Sequence, residues 1–190
     1  MNKIKYFSTE INYLKNESNK EDLAYLINLL PDYFFTIPAS STGKYHPKFA
    51  STTHGLVKHT KVAVRIAHDL FEINHNFTEE EKDLIIMALV MHDGLKKGLT
   101  EETYTRFDHP LLVSKLIMEH TKELKMDIDS VRKMCSLIES HMGSWNTNKY
   151  SKVVLPLPTT SAQRFVHMCD YLAAQKFINI NFDENNEIIC

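Results

Sequence analysis

The chain is poor in residues that break helices. It has five glycines and six prolines in 190 residues. The segments between them carry apolar residues at three- to four-residue spacing rather than in alternation. That argues against a sheet-rich fold and predicts an all-α one. Cysteine is scarce and odd in number: Cys135, Cys169 and Cys190 form no close-spaced framework and no thiolate cluster. A disulfide scaffold and a structural zinc finger are therefore excluded, and the thiols fit a reducing compartment. Long hydrophobic runs are missing too. The longest, Leu84 to Met91, has eight residues, too few to span a bilayer, and the opening MNKIKYFSTEINYLKN contains no hydrophobic signal region. A soluble cytoplasmic protein without a membrane partner is expected. Charge of one sign is also lacking: 22 basic residues against 24 acidic ones leave a net −2. No broad positive field exists to hold a long nucleic acid, so a small or short ligand fits better.

What is present is an ordinary globular composition, 43% hydrophobic and 24% charged, at a length that suits one domain with one core. Helix starts are marked along it. Ser18 with Glu21 reads as a capping box before LAYLINLL, and Thr78 with Glu81 as another before LIIMALVMHD. In GLVKHTKVAVRIAHDLFEI, the residues Leu56, Val57, His59, Val62, Ala63, Ile66, Ala67 and Leu70 form an inward stripe that includes a histidine. Pro110 suits the first turn of a helix beginning at His109. Asp127 or Asp129 caps VRKMCSLIESH, and Thr159 to Ser161 opens AQRFVHMCDYLAAQKF. The connecting stretches PASSTGKYHPKFASTT, GLKKGLTEETYTRF and GSWNTNKYSKVVLPLPTT are long, polar and aromatic, as a substrate rim would be.

Of the ten histidines, His68, His75 and His120 sit among charged or polar neighbours and read as solvated. His59, His92, Asp93, His109, His141 and Asp170 differ. Each takes an inward position or the end of a predicted helix, and apart from the adjacent pair each belongs to a different helix. Singly, such residues are more often hydrogen-bonded core histidines or caps than ligands. The doublet His92-Asp93 changes that balance, because a carboxylate at the end of an eight-residue apolar run is costly to bury without a cation. Asp170, among Phe165, Val166, Cys169, Leu172 and Ala173, poses the same problem. Imidazoles and carboxylates together suit Mn²⁺, Fe²⁺, Co²⁺, Ni²⁺ or Zn²⁺.

Five stretches in order, GLVKHT, HDGLKK, DHP, SHMG and HMCDYLAA, resemble the HD-domain metal-dependent phosphohydrolase superfamily over roughly residues 44–176. The likeness is nearest to small HD proteins of bacteria and phages and to the HD domain of bacterial 3′-to-5′ exoribonucleases. It implies a bundle of five or more helices, with accessory helices in residues 1–37, a core over about 44–176 and a tail from 177 to 190. It implies that His59, His92, Asp93 and Asp170 hold a first divalent metal (Mn²⁺, Fe²⁺, Co²⁺, Ni²⁺, Zn²⁺ or Mg²⁺). His109 and His141 would hold a second, with Asp93 bridging. Met142 stands where a second histidine often follows. The usual His-Asp-Ile-Gly-Lys reads His-Asp-Gly-Leu-Lys, and His54 replaces a glycine before the first ligand helix.

The activity so implied is hydrolysis of a phosphate ester by metal-activated water, with Asp93 and Lys96 catalytic. A phosphodiesterase acting on a nucleotide, cyclic nucleotide or short oligonucleotide is the leading expectation. A nucleotidase or deoxynucleotide triphosphohydrolase is the alternative, and a non-catalytic nucleotide-sensing module a third. Lys44, His46, Trp145 and Arg164 are candidate substrate contacts, Trp145 by stacking on a base. SSTGKY is no nucleotide P-loop, since the upstream glycine is missing and a tyrosine follows Lys44. If the protein is phage-encoded, its compartment is the host cytoplasm.

Overall fold

A computed structural model describes residues 2–40, 46–73 and 76–189. Seven α-helices carry the described fold: α1 Ser8–Tyr13, α2 Glu17–Leu29, α3 Gly55–Phe71, α4 Glu79–Met91, α5 His109–Glu119, α6 Ile128–Glu139 and α7 Ser161–Ala173. The only strands described, β1 Asn181–Phe182 and β2 Ile188–Ile189, pair antiparallel in the segment expected to be a plain tail. The fold is all-α, as the scarcity of glycine and proline predicts.

At the centre is α4, in which every residue from Asp83 to Met91 is buried. A helix buried on all sides has no polar face, and LIIMALVM supplies none. Around it pack α3, α6, α7 and α2, while α3 also packs on α7 and α5 on α6. Phe71, Phe77 and Phe165 close one end, with Phe71 stacked on Phe165 at 5.4 Å between ring centroids. Burying each such side chain stabilises by about 1.5–3 kcal/mol.

Local signals set most boundaries. Thr78 and Glu81 form the expected capping box, as do Thr160 and Gln163 before α7. Asp127 caps α6 by accepting from the Asp129 and Ser130 amides, and Pro110 follows His109 in the first turn of α5. The second helix is a correction: its cap is Asn16, whose side chain accepts from the Ser18 amide, so Ser18 lies inside the helix. Asp83 of α4 draws the start back by accepting from the amides of Lys15 and Asn16, a contact no local pattern encodes. Two histidines expected in solvent are half-buried instead. His68 stacks on Tyr13 at 3.8 Å between ring centroids, and His120 is 2.9 Å from the Leu116 carbonyl. His75 lies outside the described residues.

The approach to α3 explains the altered glycine. His54 has φ of 60°, a left-handed conformation that glycine adopts without strain. Here the imidazole nitrogen Nδ1 is hydrogen-bonded to the Phe35 carbonyl, the ring packs against Tyr6, and the backbone amide donates to Thr36 at 3.1 Å. These contacts offset the strain.

Candidate metal centre

The central helix ends by delivering His92 and Asp93 into the interior. The turn that follows is tight because Gly94 lies against α2: a Cβ there would sit 2.5 Å from Leu30 and 2.9 Å from the Met91 carbonyl. The displaced glycine of the doublet motif therefore has a packing reason, and Lys96 remains free to fold back onto Asp93.

Six side chains meet there. His59 Nε2 of α3 is 2.9 Å from Asp170 Oδ1 of α7, and His92 Nε2 is 3.3 Å from the same oxygen. His92 Nε2 is also 3.5 Å from Asp93 Oδ2. On the other side, His109 Nε2 is 3.0 Å from Asp93 Oδ1, and His141 Nε2 is 4.0 Å from it. The two Nε2 atoms of His109 and His141 stand 3.4 Å apart. Two overlapping groups could each hold an ion: His59, His92 and Asp170, and His92, Asp93 and His141, with the potential ligand atoms of each within 4.8 Å of one another. Asp170 is the least covered of the six, its side chain 19% exposed, so solvent reaches the cluster on that side.

Backbone carbonyls fix three of the imidazoles. His92 Nδ1 lies 2.6 Å from the Leu89 carbonyl, His109 Nδ1 2.7 Å from Arg106 and His141 Nδ1 2.7 Å from Ile138. A carbonyl can only accept, so each Nδ1 carries a proton, and in its neutral form each ring turns an Nε2 lone pair into the cluster. His92 Nε2 is then buried without a hydrogen-bond partner among the described residues, facing two carboxylates that are acceptors as well. His59 has no such anchor, since its Nδ1 is unpartnered.

Electrostatics point the same way. Burial alone would raise the Asp93 carboxyl, but Lys96, His92 and His109 outweigh it and hold the group well below the usual carboxylate range. Asp170 is likewise held low, with His92 and His59 outweighing burial. Burial and the neighbouring His92 push His141 down to about 3, so it is a neutral donor at physiological pH. His92 goes the other way: the Asp93 and Asp170 charges outweigh burial and raise it. With the imidazoles in the neutral form that metal ligation requires, two carboxylates face one ammonium, Lys96, which pairs with Asp93. One negative charge is left without a counterion. A divalent cation fits this donor set: it would meet the orphaned Nε2, separate the facing acceptors and balance the charge.

The expected substrate contacts divide. His46 is beside the cluster, its ring edge-on to His59 at 4.8 Å, and burial, with His59 and Lys96 as neighbours, lowers it to about 3. Trp145 is 53% exposed and stacks on Tyr171 at 5.6 Å and 20°, with His167 adjoining. Arg164 is exposed on the first turn of α7 and donates to the Thr159 carbonyl at 2.7 Å. Lys44 lies outside the described residues. Sequence reasoning missed His167 and Tyr171, although their four-residue spacing on α7 was a signal. His167 Nδ1 is 2.7 Å from the carbonyl of His141, and Gly143, at φ of 56°, leaves its ring the space. The turn carrying one candidate ligand is thus tied to the helix carrying another.

Two cavities are described. The larger, about 400 Å³, lies between the starts of α4 and α7 and holds none of the six residues. The smaller, about 170 Å³, is lined by Lys96 and adjoins the cluster.

Compared with known protein families, residues 56–175 match the HD domain. The chain belongs to the HD-domain family. That span contains all six converging side chains and Lys96. It ties this HD domain to the metal-dependent phosphohydrolase superfamily, whose members bind divalent metals. No curated protein and no solved structure matches the chain. No helix among the described residues is long and apolar enough to cross a membrane. Cys135 and Cys169 are buried, unbridged thiols, and burial pushes Cys135 up to about 11. Cys190 lies outside the described residues.

Proposed function

We propose that this HD domain hydrolyses a phosphodiester in a nucleotide, cyclic nucleotide or short oligonucleotide, using one or two divalent cations held by His59, His92, Asp93, His109, His141 and Asp170. The observation that carries the reading is the orphaned Nε2 of His92, buried between two carboxylates and 3.3 Å from the nearer one.

The bound cations would supply positive charge to polarise the phosphate and acidify a water. The residues of the chain do the rest. Asp93 stays ionised and holds its two oxygens toward the two halves of the cluster. Lys96, pairing with Asp93 at the wall of the smaller cavity, presents an ammonium to a non-bridging phosphate oxygen. His46, neutral beside His59, offers a hydrogen bond to the leaving group. The exposed ring of Trp145, stacked on Tyr171, supplies a face for a base. With a net charge of −2, short substrates are favoured over long strands.

A second reading has its own support. His59, His92 and Asp170 form one group without His109 or His141, and a single ion would suffice for a nucleotidase or a triphosphohydrolase. The separating experiment is a screen of Mn²⁺-, Co²⁺- or Ni²⁺-supplemented protein against mononucleotides, cyclic dinucleotides and short oligonucleotides, with Asp93→Ala as the blank. Diester cleavage that disappears in His109→Ala and His141→Ala supports the two-ion reading. Undiminished cleavage in both variants supports the one-ion reading, and equal turnover by Asp93→Ala rejects both. If no substrate turns over but nucleotides still bind, the domain is a sensing module.

A further inference from the structure

The 170 Å³ cavity beside the metal centre is lined by Ile37, Pro38, Ala39, Lys96, Lys97, Thr103 and Thr105. Three of these residues are apolar, and the other four are two lysines and two threonines. The hydroxyls of Thr103 and Thr105 have no hydrogen-bond partner among the described residues, and both residues are exposed. Lys97 pairs with Glu101 at 2.9 Å, four residues on. Such a surface pair is weak enough to yield its ammonium to a stronger anion. The cavity, about 170 Å³, equals about six waters of liquid volume at roughly 30 Å³ each, room for one tetrahedral oxyanion and its shell.

The loop that carries the polar residues is tied down. The Tyr33 hydroxyl donates to the Gly98 carbonyl at 2.5 Å and accepts from the Lys97 amide at 3.1 Å. The Glu102 amide donates to Lys97, and the Arg106 amide to Lys96. The Arg106 guanidinium braces both Glu102 and Asp108, and Gly98 turns the chain at φ of 85°. These ties fix the backbone of Lys96 and Lys97 and both ends of the stretch that carries Thr103 and Thr105, the kind of pre-organisation that favours recognition.

We infer that this cavity receives a second phosphate of the substrate, one linkage away from the phosphate at the metal centre, through Lys97, Thr103 and Thr105. Lys96 borders both sites and would lie between the two anions. The inference rests on the proposed hydrolase reading and deepens it: the preferred substrate carries at least two phosphates. These could be the diphosphate of a nucleoside polyphosphate or successive phosphates of a short oligonucleotide.

The test is calorimetric titration of Mn²⁺-loaded protein with AMP, α,β-methylene-ADP and a 5′-phosphorylated dinucleotide bearing a phosphorothioate linkage. At least one two-phosphate ligand is expected to bind about tenfold tighter than AMP, the gain from charge-assisted hydrogen bonds to one further anion. Which ligand gains identifies the source of the second phosphate. In the triple variant Lys97→Met, Thr103→Val, Thr105→Val that preference should shrink to about twofold, and Lys97→Arg should retain most of it. If the triple variant melts early, the pair Thr103→Val, Thr105→Val, confined to exposed positions, gives the same readout. A preference near unity in the native protein, or one unchanged in these variants, overturns the inference. Hydrolysis of bis(p-nitrophenyl) phosphate by the same native preparation keeps the two claims apart. If it proceeds while the preference is absent, the subsite falls and the hydrolase stands; if neither binding nor hydrolysis occurs, both fall.

Discussion

His92 Nε2 and Asp170 Oδ1 face each other across 3.3 Å, and in the neutral ring the proton is committed to the Leu89 carbonyl. Two acceptors at that distance repel unless a cation joins them. Metal binding should therefore stabilise the fold. At a free Mn²⁺ concentration a hundredfold above Kd, binding to the native state adds about 2.7 kcal/mol. In a chain of this size that raises Tm by about 5–10 °C. Differential scanning fluorimetry should show the rise, its reversal by chelator, and its absence in His92→Ala.

Gly143 allows the turn after His141 to touch α7. A Cβ there would lie 2.2 Å from the His167 ring, and φ is 56°. Gly143→Ala should cost about 2–4 kcal/mol from backbone strain and overpacking together. Its melting temperature checks the value, and Mn²⁺ affinity should fall with it because His141 is displaced.

The doublet, the DHP turn and the later histidines were legible because each sits at a helix end, where local signals fix the boundary: Thr78 and Glu81 for α4, Pro110 for α5, Asp127 for α6. The orientation of the rings was not, since it depends on carbonyls exposed by the way each helix terminates. Longer-range contacts were less legible still. Asp83 reset the start of α2 from across the bundle, and Tyr33 fixes the loop at Lys97 and Gly98 from far upstream. The pairing of Trp145 with Tyr171 needed the packing of α7 against the turn after α6.

Away from the centre, Lys61 is fully buried against Glu10 of α1 and Glu187 near β2. Removing one partner of a buried pair leaves an uncompensated charge, so Lys61→Met should destabilise by about 3–5 kcal/mol, measured by urea unfolding.

The same pair sets a pH dependence. Burial raises the Glu10 carboxyl above its ordinary value of 4.5, and Lys61 only partly counters it. A raised folded pKa favours the protonated native form. The stabilising contribution is therefore full below the unfolded value and is lost as pH rises through the folded one. As pH rises above 4.5, the stability of Glu10→Gln relative to the native chain should therefore increase, whatever the fixed cost of leaving Lys61 with Glu187 alone. Unfolding curves at rising pH would show no such trend if the carboxyl were not raised, and the opposite one if it were lowered.

Trp145 presents its exposed face within four residues of His141, and its partner Tyr171 follows Asp170 directly. If a base stacks there, Trp145→Ala should lose about 1–3 kcal/mol of nucleotide binding. An abasic ribose phosphate should bind the native and variant proteins alike. Fluorescence titration with the two ligands distinguishes stacking from a general loss of structure.

The most direct measurement is anomalous X-ray scattering from crystals grown in Mn²⁺. The account predicts a peak bound by His59 Nε2, His92 Nε2, Asp93 and Asp170, with a weaker second peak at His109 and His141. An empty cluster at saturating Mn²⁺, with the histidines and carboxylates hydrogen-bonded to one another, would contradict it.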